Sequence, residues 1–144
     1  MMKISTKGRY ALRVMIDLAE NNNGSYIPLR DIARRQEISE KYLETIIPAL
    51  TRAGFLEGLR GKGGGYKLTR TPDQYDVASI LQLTEGSLAP VACLEGERNT
   101  CPRISQCRTL PMWEGFYKLI LEYFQGITLE DLVRTQTPGD DFVI

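Results

Sequence analysis

Between Thr6 and Glu20 the apolar residues Tyr10, Ala11, Val14, Met15, Leu18 and Ala19 recur at steps of one, three and four, which predicts an amphipathic helix ended by Asn21–Gly24. After Pro28, suited to a first helical position because its missing N–H has no intrahelical partner there, Leu29, Ile32 and Ala33 predict a second helix of about two turns. Arg30, Arg34 and Arg35 fall on its wet side. Gln36-Glu37-Ile38 lead to Ser39, a good N-cap, and Tyr42, Leu43, Ile46, Ile47, Leu50 and Ala53 form a third stripe that stops at Gly54. Pro48 lies inside that stripe and crowds the carbonyl of Glu44, so a kink or break is expected there. Two helices joined by a tight turn make a helix-turn-helix candidate.

The period then changes. Residues 55–60 and 66–70 are short strand-like runs around Gly61-Lys62-Gly63-Gly64-Gly65, a hairpin with a glycine-rich tip placed as a wing. A nucleotide-binding loop is the rival for these glycines, but neither phosphate-loop spacing is met and no helical pattern follows directly. In the second half Asp76 is a candidate N-cap for a helix with Val77, Ile80 and Leu81 inward and Gly86 as its stop. An irregular insert, residues 87–110, precedes a helix whose Trp113, Phe116, Tyr117, Ile120, Leu121 and Phe124 form a wide apolar face. That face suits a dimer interface, with a long intramolecular core helix as the alternative. Thr128–Asp131 match a capping box, and residues 137–141 read as a frayed tail.

Composition enters as a set of exclusions. A 144-residue chain with 42% hydrophobic and 25% charged residues is of ordinary globular make-up, which excludes a collagen-like, disordered or membrane-embedded chain. With no apolar run beyond Ile46–Leu50, and with Lys3, Lys7, Arg9 and Arg13 near the start, neither a spanning helix nor a signal peptide fits, and a cytoplasmic protein is the default. The absence of histidine removes the serine–histidine and cysteine–histidine nucleophiles and every histidine-ligated metal site, so an enzyme is not expected. The formal net charge of zero hides an asymmetry: residues 1–70 carry +6 and residues 71–144 carry −6. One half is therefore suited to face a polyanion.

On the third helix, Glu40, Lys41, Glu44 and Thr45 lie off the buried stripe near its start, where a recognition helix reaches base edges in a major groove. Lys41 can donate to guanine or phosphate. Glu44 can accept from a cytosine amino group and repels misplaced phosphate. Arg60 and Lys62 at the wing tip suit a narrow minor groove.

Cys93, Cys101 and Cys107 are the only cysteines and share one 15-residue window, C-x7-C-x5-C, interleaved with Arg98, Arg103 and Arg108. Nearby cations favour thiolate. The odd number argues against a disulfide framework, leaving a metal site, a redox thiol group or coincidence. Zinc would want paired C-x2-C spacing and four ligands, whereas an iron–sulfur cluster accepts looser spacing and still wants a fourth ligand.

The order of elements, the segment ISEKYLETIIPALTRAGFLEGLRGKGGGY, and the cysteine loop after LTEG followed by an aromatic helix resemble the IscR-type regulators, a winged helix-turn-helix family of bacterial repressors. The resemblance spans roughly residues 2–135. Together with the charge boundary near the Thr71-Pro72-Asp73 turn it gives the expected organisation, a mostly α protein with a winged helix-turn-helix DNA-binding domain in residues 1–71 and dimerisation helices with the cysteine loop in 72–135, followed by the frayed end as a flexible tail in 136–144. It also implies a homodimer on palindromic double-stranded operator DNA. Ser39, Lys41, Tyr42, Glu44 and Thr45 match the recognition surface, and Arg60, Gly61, Lys62 and Gly63 the wing tip. Cys93, Cys101 and Cys107 match the three cysteine ligands of an iron–sulfur cluster, expected as [2Fe-2S], in a regulator of cluster-assembly genes.

Two departures stand against the pattern. The usual spacing in the resembled family is C-x5-C-x5-C, and Leu110 occupies the position of a histidine ligand. Arg9 falls where some relatives place a ligating carboxylate, which leaves Glu95, Glu97 and Glu44 as candidate fourth ligands. The alternatives are a nitric oxide-sensing [4Fe-4S] regulator, a small iron–sulfur redox carrier without specific DNA binding, and a DNA binder whose thiols sense directly without metal.

Overall fold

The structure, a computed structural model, describes residues 3–137. The elements run α1 Thr6–Glu20, α2 Leu29–Gln36, α3 Glu40–Leu43, α4 Ile47–Arg52, β1 Leu56–Leu59, β2 Gly65–Leu68, α5 Val77–Glu85, α6 Leu110–Gln125 and α7 Leu129–Arg134. Helix α1 has the bounds its apolar stripe indicates, and the Ser5 hydroxyl accepts from the Gly8 N–H at 3.1 Å to start it. Pro28 is the N-cap of α2 rather than its first residue. The fixed φ of proline serves either position, so the sequence pattern misplaced it by one.

The expected third helix is two helices. Ser39 Oγ accepts from the Tyr42 N–H at 3.0 Å and starts α3, which stops at Leu43; α4 begins at Ile47. Continuing α3 would have required a Pro48 N–H for the Glu44 carbonyl. Instead the Thr45 N–H donates to Tyr42 O at 2.9 Å and the Ile46 N–H to Leu43 O at 3.0 Å, tightening the chain. Pro48 thereby falls in the first turn of α4, where its missing donor leaves no hydrogen bond unmade.

The main core gathers Ala11, Val14, Met15 and Leu18 of α1 with Ile32, Leu43, Ile46, Leu50 and Leu56. It is completed from the acidic half by Tyr75, Ile80 and Leu129, each almost fully buried. Both α5 and α7 pack on α1. The chain at the head of α7 is fastened by Val77 N–H to Ile127 O and Leu129 N–H to Tyr75 O, both 2.9 Å, and by the expected capping box of Thr128 and Asp131. Asp76 and Gly86 bound α5 as expected, Asp76 by accepting from the Ser79 N–H.

A smaller core of Val77, Leu81 and Leu88 lies under one side of α6. Tyr117, Ile120, Leu121 and Phe124, four of the six residues in the expected apolar face, pack there on their own chain. No α6 residue is fully buried, however, and Met112, Leu119 and Tyr123 stand 56%, 65% and 67% exposed. The helix is therefore apolar on more of its circumference than the six-residue stripe indicated. Of the tail assigned to residues 136–144, Gln136 and Thr137 follow α7 without regular structure, and 138–144 lie outside the described residues.

Candidate nucleic-acid interface and cysteine loop

Strands β1 and β2 pair antiparallel with Leu56 opposite Leu68 and Leu59 opposite Gly65, and Lys67 Nζ meets Glu57 Oε1 at 3.2 Å across the ladder. The tip closes through the Gly64 N–H donating to Gly61 O at 2.9 Å, with Gly61 at φ 89. Gly65, at φ 147, lets β2 lie against the chain before α2: a Cβ there would collide with the Ile27 carbonyl. Ile27 and Tyr66 exchange two backbone hydrogen bonds of 2.9 Å, so the wing is tied to the entry of α2.

The wing base is fixed from the other side by Tyr75. Its buried hydroxyl donates to Phe55 O at 2.8 Å and accepts from the N–H groups of Thr69 and Arg70 at 3.0 and 3.1 Å. The Arg70 guanidinium lies over both the Phe55 and Tyr75 rings.

Between the wing, the start of α2 and the α3–α4 segment lies an open groove of about 1120 Å³. Four cations line it: Arg30 of α2, Arg52 of α4, and Arg60 and Lys62 of the wing. Glu44 is its one carboxylate. Among the described residues none of these cations forms an ion pair, whereas Arg34, Arg35 and Lys67 on the same half each do. Unpaired cations converging on one concave surface are the electrostatic footprint of a phosphate backbone.

Of the residues the sequence assigned to DNA, Glu44, Arg60, Gly61, Lys62 and Gly63 line this groove. Ser39, Lys41 and Thr45 are exposed on α3 and just after it, outside the groove lining. The Ser39 hydroxyl is engaged as the α3 cap, and Thr45 Oγ1 donates to Tyr42 O at 2.6 Å. Tyr42 is half-buried against the main core, its ring edge-on to Tyr10 with centroids 5.5 Å apart. Arg30 and Arg52 were not assigned from sequence; 22 positions separate them, and only the fold brings them to one surface.

The cysteines lie in the chain between α5 and α6, interrupted by one-turn 3-10 helices at Ala92–Leu94 and Ile104–Gln106. All three thiols are free and half-exposed. Cys93 sits in the first of these turns, the Cys101 N–H donates to Asn99 Oδ1 at 2.9 Å, and Cys107 Sγ lies 3.5 Å from Thr109 Oγ1 ahead of α6. The Thr109 hydroxyl pulls the Cys107 thiol below its ordinary range, helped by the backbone at Thr109 and Leu110 and by the charge of Arg103.

Among the described residues no three Cys, Asp or Glu side chains converge on a common point. The three cysteines supply the thiolate chemistry an iron–sulfur cluster takes, but as they stand they are not grouped around a single ion. Glu44, a candidate fourth ligand, belongs to the groove; Glu95 and Glu97 are in the loop. Glu85, at the loop entrance, is already engaged, accepting from the Ser5 N–H at 3.0 Å and hydroxyl at 2.6 Å.

Comparison with known proteins bears on both regions. Residues 4–135 match the Rrf2 family, described as an iron-dependent transcriptional regulator. The transcriptional regulator IscR of Aliivibrio salmonicida is 35% identical over 132 residues, covering 92% of this chain and 77% of that protein. The structure of CymR, the global cysteine regulator of B. subtilis, superposes with a TM-score of 0.75 at 36% identity, covering 95% of this chain and 100% of that one. That of T. potens IscR gives 0.71 at 32% identity, covering 97% and 96%. The winged-helix, mostly helical fold and the regulatory rather than enzymatic role are thus established together, and the chain belongs to the Rrf2 family of transcriptional regulators.

Proposed function

We propose that this protein is a repressor that binds palindromic operator DNA as a homodimer, with residues 1–71 reading DNA and residues 72–135 carrying the dimer helix and the signal-receiving loop. The observation that carries this reading is the groove holding Arg30, Arg52, Arg60 and Lys62 without acidic partners beside the recognition segment. These cations hold phosphates and supply a salt-dependent, sequence-independent part of the affinity. Lys41 and Glu44 reach base edges, Ser39 and Thr45 border them, and Arg60–Gly63 enter the flanking minor groove. Dimerisation through α6 is supported by the exposed Met112, Leu119 and Tyr123 and sets two recognition segments for two half-sites. A DNA partner supports a cytoplasmic location, and among the described residues no helix is long and apolar enough to cross a membrane.

The signal has two readings. The iron-dependent description of the family and the resemblance to IscR-type regulators support a [2Fe-2S] cluster on Cys93, Cys101 and Cys107. The free, half-exposed thiols, with no three Cys, Asp or Glu side chains among the described residues grouped around one ion, favour direct response of the thiols. The DNA reading depends on neither.

The test is in two parts. Selection of binding sites from random duplexes should enrich an inverted repeat; enrichment of no motif contradicts the operator reading. Iron and acid-labile sulfide per chain, on protein purified without oxygen, separate the signals. Two of each support the [2Fe-2S] regulator and four of each the [4Fe-4S] form, while metal-free protein that loses its DNA response when the thiols are blocked supports direct sensing.

A further inference from the structure

Asp17, on α1, is the one charged residue among the described residues that is fully buried, at 1% exposure. A carboxylate so placed needs partners, and it has them. Arg35 donates through Nε and Nη2 at 3.0 and 2.7 Å, and Gln36 Nε2 donates at 3.0 Å. With its amide nitrogen committed to Asp17, Gln36 presents Oε1 to Arg13, whose Nε donates to it at 3.2 Å. Arg13 Nη2 donates in addition to the Gln36 backbone carbonyl at the end of α2.

The chain of contacts continues toward the recognition segment. The Arg13 guanidinium lies 5.0 Å from the Tyr10 ring centroid, and Tyr10 meets Tyr42 of α3 edge-on, 5.5 Å between centroids and 76° between planes. One face of α1 thus grips both ends of the turn that separates α2 from α3. That turn needs an outside hold. Glu37 sits at φ 55, a conformation side chains disfavour, and α3 is a single turn of four residues, too short to define its own axis. The buried Ile38, Leu43 and Ile46 anchor the segment in the core, and the polar contacts of Arg13 and Gln36 add a directional hold at the turn itself.

We propose that Arg13 and Gln36 are positioning residues for operator specificity: linked to the buried Asp17 on one side and to the Tyr10–Tyr42 ring pair on the other, they set the angle at which α3 meets the base edges without touching DNA. The proposal rests on the operator reading above. It also accounts for Tyr42 being half-buried, since its ring supports α3 from behind.

A phosphate-contacting Arg13 is the rival, and the two roles leave different traces. Removing a phosphate contact lowers the slope of log K against log salt by about 0.9 and weakens all sequences alike. Removing a positioning contact leaves the slope unchanged and lowers the ratio of operator to random-sequence affinity. Gln36 carries no charge, so Gln36→Met reports positioning alone. Arg13→Lys keeps the charge and loses the planar two-point grip, and Arg13→Met removes both.

The experiment measures binding of wild type, Arg13→Lys, Arg13→Met and Gln36→Met to the duplex selected by wild type and to a scrambled duplex, across a salt series. At least a tenfold fall in discrimination is expected for each variant, with unchanged slope and unchanged scrambled-duplex affinity, the latter also showing that the variants are folded. Undiminished discrimination in Gln36→Met overturns the proposal. So does a lowered slope in Arg13→Met with Gln36→Met like wild type, which makes Arg13 a phosphate contact. A wild-type chain that selects no motif removes the operator reading itself, a failure separate from either of these.

Discussion

The wing and the cysteine loop are both surface segments, yet they are held in opposite ways. The wing is fastened at long range: a strand ladder, two hydrogen bonds to Ile27 and three to the Tyr75 hydroxyl fix it against the core before any DNA arrives. In the loop, the hydrogen bonds among the described residues join near neighbours, such as Leu94 to Val91 and Gln106 to Arg103, and Leu88 is its one buried residue. A surface that must present cations at fixed spacing gains from being preformed. On the proposed function the loop responds to a signal, and such segments are drawn from the weakly held end of a structure.

The strongest way to break this contrast is to act where the halves meet. Leu129→Ala empties a fully buried position that the acidic half contributes to the main core, and a loss of about 2–5 kcal/mol in unfolding free energy is expected. Denaturant unfolding should show one cooperative transition shifted as a whole; an unshifted transition would separate the halves and sink the shared core. Tyr75→Phe removes a hydroxyl that serves three backbone groups, with an expected loss of about 1–3 kcal/mol and raised amide exchange at Thr69 and Arg70. Unaltered exchange there would mean the wing base is held by packing alone.

Smaller effects sharpen the contrast without disturbing the fold. Arg60→Ala should weaken operator binding by about 1–3 kcal/mol in anisotropy titrations if the side chain inserts in the groove, with thermal stability unchanged. An unmoved midpoint removes Arg60 from the interface. In the loop, alkylation requires thiolate, and the Cys107 thiol is lowered by Thr109, its adjacent backbone and Arg103. As pH falls from the alkaline side, the alkylation rate of Cys107 should therefore drop at lower pH than that of a free thiol. Peptide mapping after timed iodoacetamide treatment reads this directly, and a Cys107 profile matching a free thiol contradicts it.

What was legible in the sequence was local. The stripe of α1, the Ser39, Asp76 and Thr128 caps, the glycine-tipped hairpin and the interruption at Pro48 depend on residues within a few positions of one another, and the structure has them all. What was hidden depends on residues far apart. Tyr75 and Leu129 give no sign in their own segments of belonging to the core of the first half. Arg30 and Arg52 look like solvated helix charges until α2 and α4 are placed on either side of one groove. The apolar face of α6 was visible, but not how much of it Val77, Leu81 and Leu88 would occupy. Likewise the cysteine spacing showed that three thiols share a loop, while only the fold shows that they do not converge.

The most direct measurement is the salt dependence of binding to the selected duplex for wild type and for a chain with Arg30, Arg52, Arg60 and Lys62 all replaced by alanine. If the preformed groove holds the phosphate backbone, the slope of log K against log salt falls by about 0.9 for each phosphate no longer neutralised, and affinity drops for selected and scrambled duplexes alike. A replaced chain that keeps both the slope and the affinity of wild type would contradict the groove as the DNA-binding surface.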